Sequence, residues 1–176
     1  MRKVLKYFFL AVALLVHVVL FGVVNYVTPN YEVTNVTGVE VKRVDKDGPI
    51  TKANPADGPT RDVYYIYTQK PNEQNVMVYR NEDTRWGFPF YFKFGSADLQ
   101  AKAASFAGDH KLVEVKYYGW RIVMFDEFRN ATSMREVTLE EGRSHPILAY
   151  VLYFCLLITL FFSVQFVRGW FDSENA

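Results

Sequence analysis

Three adjacent carboxylate pairs, Glu82 with Asp83, Asp126 with Glu127 and Glu140 with Glu141, and three histidines, His17, His110 and His145, have the side chains for acid–base or metal chemistry. Their spacing does not support it. Neighbours on a strand point to opposite faces, so an adjacent pair is not by itself an acid–base couple, and glycosidase-type chemistry needs carboxylates converging from different elements. The histidines are scattered without ligand spacing. Asp45-x-Asp47-Gly48 begins like a calcium loop but lacks the later acidic ligands, and reads as a solvated turn. Neither a nucleophile elbow nor a phosphate loop nor a dinucleotide fingerprint occurs. The expectation is a non-enzymatic chain with no catalytic residues, no metal and no cofactor.

Aromatic residues are the denser signal, at 17% of the chain. In VYRNEDTRWGFPFYFKFGSADLQ, Trp86, Phe88, Phe90, Tyr91, Phe92 and Phe94 fall close together, and Phe125 and Phe128 flank IVMFDEF. Core packing would absorb many of them. It would not absorb all, because on a strand Tyr91 faces opposite to Phe90 and Phe92. Two readings stay open: core, or a docking surface of Trp86, Phe88, Phe90, Tyr91, Phe92, Phe125 and Phe128 that rests on bilayer headgroups or a partner protein. In the charged half of the same stretch, Arg80 and Arg85 can pair with Glu82 or Asp83, which contributes little if exposed.

The elements that position these residues follow from hydropathy. Residues 7–27 and 146–167 carry no formal charge. Each is long enough to cross a hydrocarbon layer of roughly 30 Å as a helix. A cleaved signal peptide is the rival for the first run. That run exceeds the usual apolar length, and its exit FGVVNYVTPN has no small-residue cleavage pair, so an uncleaved anchor is expected. Arg2, Lys3 and Lys6 precede the first run and Arg168 closes the second, so both ends read as cytoplasmic. The expected division is a cytoplasmic N-terminus at 1–6, transmembrane helices at 7–27 and 146–167, a periplasmic domain at 28–145 and a cytoplasmic tail at 168–176. The location would be a bacterial inner membrane. His17, inside the first helix, is a candidate intramembrane polar contact, with Gln165 and Asn25 as possible partners across helices.

Setting aside Arg2, Lys3, Lys6 and Arg168 from the 20 Lys and Arg, and Asp172 and Glu174 from the 19 Asp and Glu, leaves 16 against 17 for the outer domain. A charge near −1 gives it no electrostatic claim on nucleic acid. Cys155 is the only cysteine and lies in the second apolar run, so no disulfide holds the outer domain.

Within that domain the patterns are mainly β. Strands are expected at 31–44, with a bulge at Gly38, and at 62–68 and 75–81 as a hairpin. The loop 45–61, with two Asp-Gly pairs and three prolines, should be an exposed connection. A helix should start with Ser96 as N-cap, place Asp98 in its first turn, bury Leu99, Ala103 and Phe106, and stop near Gly108. Strand character returns at 110–123. There Val113, Val115 and Tyr117 share a face, and a bulge at Gly119 would bring Trp120 and Ile122 onto it. A last strand is expected at 132–139. Three strands, a helix and two strands is the order of an OB-like small barrel. The fold class is therefore a membrane hairpin of two transmembrane helices enclosing a mainly β (α+β) extracytoplasmic domain; a two-layer α+β domain with a curved antiparallel sheet is the alternative.

The blocks TGVEVKRVD, RDVYYI, VYRNEDTRWGFPFYFKFGSADLQAKA, YYGWRI and NATSMREV, in that order, resemble an uncharacterised family of bacterial membrane proteins catalogued as domain of unknown function fifteen-twenty-three. The resemblance implies a membrane hairpin with one outer domain, and carries no activity or functional residues. The expected function is an accessory or assembly component of a larger membrane complex, whose partners are membrane lipids and other membrane subunits or copies of itself. The alternative is a periplasmic module that senses a lipid, glycan or peptide in an aromatic groove.

Overall fold

The computed structural model describes residues 2–46, 48–71, 73–109 and 111–172. Its elements are α1 (Arg2–Val27), β1 (Asn30–Asp45), β2 (Gly48–Pro49), β3 (Arg61–Gln69), β4 (Val76–Arg80), α2 (Ser96–Asp109), β5 (Leu112–Tyr118), a short 3-10 turn (Val123–Phe125), β6 (Arg129–Glu136) and α3 (Ile147–Asp172). The chain divides into two units, Met1–Thr28 with Pro146–Ala176, and Pro29–His145. It is an α+β fold: a six-stranded mixed sheet with a long apolar helix at each end of the sequence.

In the first unit, α1 and α3 are 26 residues each, long and apolar enough to cross a membrane. At a rise of about 1.5 Å per residue each extends about 39 Å. They run antiparallel. Lys6 meets Asp172 at 2.8 Å, Phe9 meets Phe171, and Phe21 stacks on Tyr153 at 5.3 Å. Most of their remaining apolar side chains are exposed, Cys155 among them.

In the second unit the sheet order is β2-β1-β3-β4-β6-β5, and β5 pairs back to β1. That closure is possible because β1 is 16 residues long and serves two neighbours. Asn30 to Asn35 pair with β5, and Asn35 to Val44 pair with β3 across a register shift between Val36 and Gly38. The expected bulge at Gly38 is thus present, and it bends one strand from one neighbour to the next. β3 and β4 form the expected hairpin. β4 and β6 pair in parallel, Tyr79 with Arg129 and Arg80 with Asn130, so the sheet is mixed and not purely antiparallel.

Alternation along the strands, with a register shift in β6 between Ala131 and Ser133, sends Val36, Ile66, Tyr79, Val113, Val115, Ala131 and Met134 inward, and α2 covers them with Leu99, Ala103 and Phe106. Each large side chain fully buried there contributes roughly 1.5–3 kcal/mol. A smaller cluster joins Val44, Val63 and Tyr65 to Phe128.

Three local expectations differ from the structure. Ser96 is the first helical residue and not the cap; Gly95 precedes it without a side chain, and Asp83 caps instead by accepting the Ser96 N–H at 2.8 Å. β5 ends at Tyr118, because Gly119 takes φ +85° and turns the chain out of the sheet, leaving Trp120 at the surface. β6 begins at Arg129, ahead of the expected 132, since pairing with β4 holds Arg129 and Asn130 extended. Met1, Asp47, Asn72, His110 and residues 173–176 lie outside the described residues.

Candidate functional site

The segment between β4 and α2 has no regular structure, and its shape comes from what anchors it. Asn81 is fully buried; its N–H donates to the Tyr64 carbonyl at 2.8 Å, and its amide donates to the Ser96 carbonyl and to Gln100 Oε1 at 2.8 and 3.0 Å. Gln100 in turn donates to the carbonyls of Tyr65 and Glu40. The Lys93 ammonium donates to Asn81 Oδ1 and, at 2.7 Å, to the Ala131 carbonyl. Burial pushes Lys93 down to about 8, against the opposing charges of Asp83 and Glu82. Asn130 exchanges hydrogen bonds with the Glu82 backbone and donates to the Tyr118 hydroxyl at 2.9 Å. Buried polar groups satisfied in this way rigidify what they hold.

The loop is then folded tightly on itself. Arg85 N–H donates to the Lys93 carbonyl, Lys93 N–H to Thr84 Oγ1, Gly87 N–H to the Thr84 carbonyl and Phe90 N–H to the Gly87 carbonyl. Arg85, Phe90 and Phe92 have φ of 49°, 62° and 51°, a conformation that bulky side chains rarely adopt. Tyr91 and Lys93 point inward, Tyr91 stacked on Tyr118 at 4.7 Å. Trp86, Phe88, Phe90, Phe92 and Phe94 point outward and are between 53% and 76% exposed. The outward rings touch each other edge to face, Trp86 against Phe92 and Phe94, and Phe88 against Phe90.

A second apolar loop leaves the sheet beside the first. After Gly119 the chain makes a bridge between Ile122 and Glu127, and Val123, Met124 and Phe125 form a turn with their side chains at least 71% exposed. Phe128 goes the other way. It packs edge-on against Tyr65 with the Arg121 guanidinium 3.9 Å from its ring centre. Of the seven rings proposed from the sequence, five are outward on two adjacent loops, while Tyr91 and Phe128 are the supports beneath them.

Four of the six paired carboxylates have structural employment. Glu82 meets Arg61 and Arg80, Asp83 caps α2, Asp126 takes φ 51° in a turn near Arg121, and Glu141 lies 3.6 Å from Arg135. His145 is exposed. Among the described residues no three His, Cys, Asp or Glu side chains group as metal ligands would.

Two carboxylates, the half-buried Glu32 and the buried Glu114, carried no sequence signal. Glu32 accepts from the Tyr79 hydroxyl at 2.6 Å, from Lys70 at 2.8 Å and from Arg129 at 3.3 Å. Burial pushes it up, and those three groups together hold it below the ordinary carboxylate value. Glu114 accepts from Arg135 at 2.8 Å and from the backbone and hydroxyl of Ser144, which fixes the end of the unit to β5. Their partners come from 21 to 97 residues away along the chain, beyond the reach of any local pattern.

In the helical unit His17 is buried. Its Nδ1 lies 2.8 Å from the Ala13 carbonyl and its Nε2 lies 3.3 Å from Thr159 Oγ1. Nδ1 is placed to donate to the Ala13 carbonyl, and the Thr159 hydroxyl beside Nε2 donates to the Leu156 carbonyl at 3.0 Å. The partner across helices is therefore Thr159 and not Gln165 or Asn25; Asn25 donates to the Tyr153 hydroxyl at 3.1 Å.

The family described as Protein of unknown function (DUF1523) matches residues 5–171. The chain belongs to this family. An uncharacterized protein of Haemophilus influenzae is 67% identical over 175 residues, which is 99% of this chain and 100% of that one. Among solved structures, a mutant of the Salmonella typhi PltB homopentamer is similar with 14% identity and a TM-score of 0.43, over 70% of this chain and 96% of that chain. The family's description carries no activity, so the reading of the site rests on its geometry. That geometry is a rigid presentation of apolar rings.

Proposed function

We propose that this chain is a non-enzymatic integral protein of a bacterial cytoplasmic membrane, an accessory or assembly component that docks through its helices and the rings of its outer unit. In this reading α1 and α3 span the bilayer with Arg2, Lys3, Lys6 and Arg168 on the cytoplasmic side, and the outer unit lies in the periplasm. That unit reads as an OB-like barrel. Without the two-residue β2, its strands close in the order β1-β3-β4-β6-β5-β1 with one helix between the third and fourth. The observation that carries the reading is the loop at Trp86 to Phe94, in which a fully bonded polar network holds five rings out toward solvent. Apolar surface of this kind marks an interaction site.

The sensing alternative requires an apolar groove. The barrel interior is instead occupied by Ile66, Tyr79, Val113 and Val115, and the exposed rings favour docking. Crosslinking in native membranes followed by affinity purification of the full chain tests the proposal. Specific crosslinks to other membrane subunits, or to a second copy, are expected; a chain that purifies reproducibly alone and uncrosslinked would overturn it.

A further inference from the structure

The exposed rings have a definite place in the outer unit. Asn30, the first residue of β1, pairs with Tyr117 of β5. The next residue, Tyr118, carries Tyr91 of the ring-bearing loop stacked on it. Tyr31 is close enough to Tyr91 that its phenol, after burial and Tyr118, helps push the Tyr91 hydroxyl up. The loop that exposes Val123, Met124 and Phe125 starts at Gly119, directly after Tyr118. At the other end of the unit, Ser144 is bonded to Glu114, which pairs with Val33 on the same first stretch of β1. The start of the unit, where the chain arrives from α1, thus lies by the same part of the barrel as both exposed apolar loops, and its other end is held four residues along β5, about 13 Å away.

From this placement we infer that the rings of the Trp86 to Phe94 loop, with the Val123 to Phe125 turn, insert into the interfacial layer of the bilayer. The inference rests on the reading that α1 and α3 cross the membrane, and it names lipid as what covers the rings. The side chains suit that layer. Trp and Phe settle at headgroup depth, and the only charges from residue 85 to 94 are Arg85 and Lys93, while the exposed Asp126 and Glu127 directly follow the second turn. Lys93 is turned inward, so Arg85 is the cation presented outward. The backbone supports the same use. Phe90 and Phe92 hold the left-handed conformation so that both rings emerge on the side of Trp86 and Phe88, and strain of this kind persists where the surrounding bonds enforce it for a purpose.

The test uses the full chain reconstituted in vesicles of phosphatidylethanolamine and phosphatidylglycerol. Two single-tryptophan proteins are made: one keeps Trp86 (W120F, W170F), the other keeps Trp170 of α3 (W86F, W120F). Lipids brominated near the top of the acyl chain should quench Trp86 by roughly twofold, while aqueous acrylamide should quench it less than in detergent-free urea. Quenching of Trp170 with none of Trp86 leaves the membrane reading standing and overturns the inference. Quenching of neither overturns the membrane reading itself. A Trp86 shielded from both bromine and acrylamide is covered by a second copy of the chain, which also overturns the inference. A further variant, F88E with F94E, should reduce lipid quenching of Trp86 with an unchanged near-ultraviolet circular dichroism spectrum. Retained quenching in that folded variant would count against insertion of the loop, and the tryptophan pair decides the matter if the variant does not fold.

Discussion

Lys93 allows the network beneath the rings to be tested by pH. Its ammonium is buried, bonded to Asn81 and the Ala131 carbonyl, and pushed from 10.5 to about 8 chiefly by desolvation. Between those two values the unfolded chain binds a proton that the folded chain does not, so stability rises with pH across the window. The cost of burying the charge is fully present below about pH 8 and is relieved as the pH climbs toward the unfolded value. A gap of about 2.5 units corresponds to about 3 kcal/mol, of which about 2 kcal/mol is regained between pH 7 and pH 9.5. The neutral amine still has two N–H groups for its two acceptors, so relief of the charge does not break the network.

The assay is thermal unfolding of the detergent-solubilised full chain, followed by near-ultraviolet circular dichroism at the two pH values. For a domain of this size the gain should appear as a rise of about 8 °C in the wild-type midpoint. Tyrosines such as Tyr67, raised to about 12 by its bond to Glu40, contribute stability that is complete below pH 10 and lost only above it, so they do not act in this interval. Lys93→Met should be flat across it. At pH 7 that variant should lie within about 2 kcal/mol of wild type, because removing the charge offsets two carbonyl oxygens left unpaired at roughly 1–3 kcal/mol each. Equal pH responses in the two proteins, or a wild-type midpoint that falls between pH 7 and 9.5, would refute the reasoning.

Three further outcomes follow from single contacts. Glu114→Gln removes the charge that binds Arg135 and Ser144 and should cost about 2 kcal/mol at pH 7. Because those bonds lower the Glu114 pKa, the wild-type advantage should shrink as pH falls below 4.5, which thermal midpoints at pH 7 and pH 4 would read. Tyr79→Phe deletes the hydroxyl on Glu32 but leaves Lys70 and Arg129 in place, so a loss of about 1–2 kcal/mol is expected in a urea titration with an unchanged slope; a loss near zero would mean the bond to Glu32 contributes nothing net. Thr159→Val takes away the polar partner of His17 and should destabilise the helix pair by about 0.6 kcal/mol, measured as an earlier midpoint in sodium dodecyl sulfate; an unmoved midpoint would argue against the contact.

What could be read from the sequence depended on how local its cause was. The hairpin of β3 and β4 and the bend at Gly38 are legible because alternation and a glycine act within a few residues. The closure of β5 on β1, and the parallel pairing of β4 with β6, join segments far apart along the chain, and alternation is the same whichever neighbour a strand finds. The same limit hid Glu32 and Glu114, whose burial is tolerable only because distant cations meet them. The ring-bearing loop is a different case, since its pattern was visible while the side its rings face stayed open. From Trp86 to Phe94 every even position is aromatic, and the odd positions are Gly87, Pro89, Tyr91 and Lys93. Alternation separates the two sets correctly, but it leaves open which of them faces inward. The outward placement of the rings has a physical cause. The interior here is already filled by Tyr79, Val115 and α2, and the remaining polar groups, Asn81 Oδ1 and the Ala131 carbonyl, need a donor that a phenyl ring cannot supply. Lys93 supplies it with a thin stem, and once Lys93 is inside, its neighbours Phe92 and Phe94 have only the outside left.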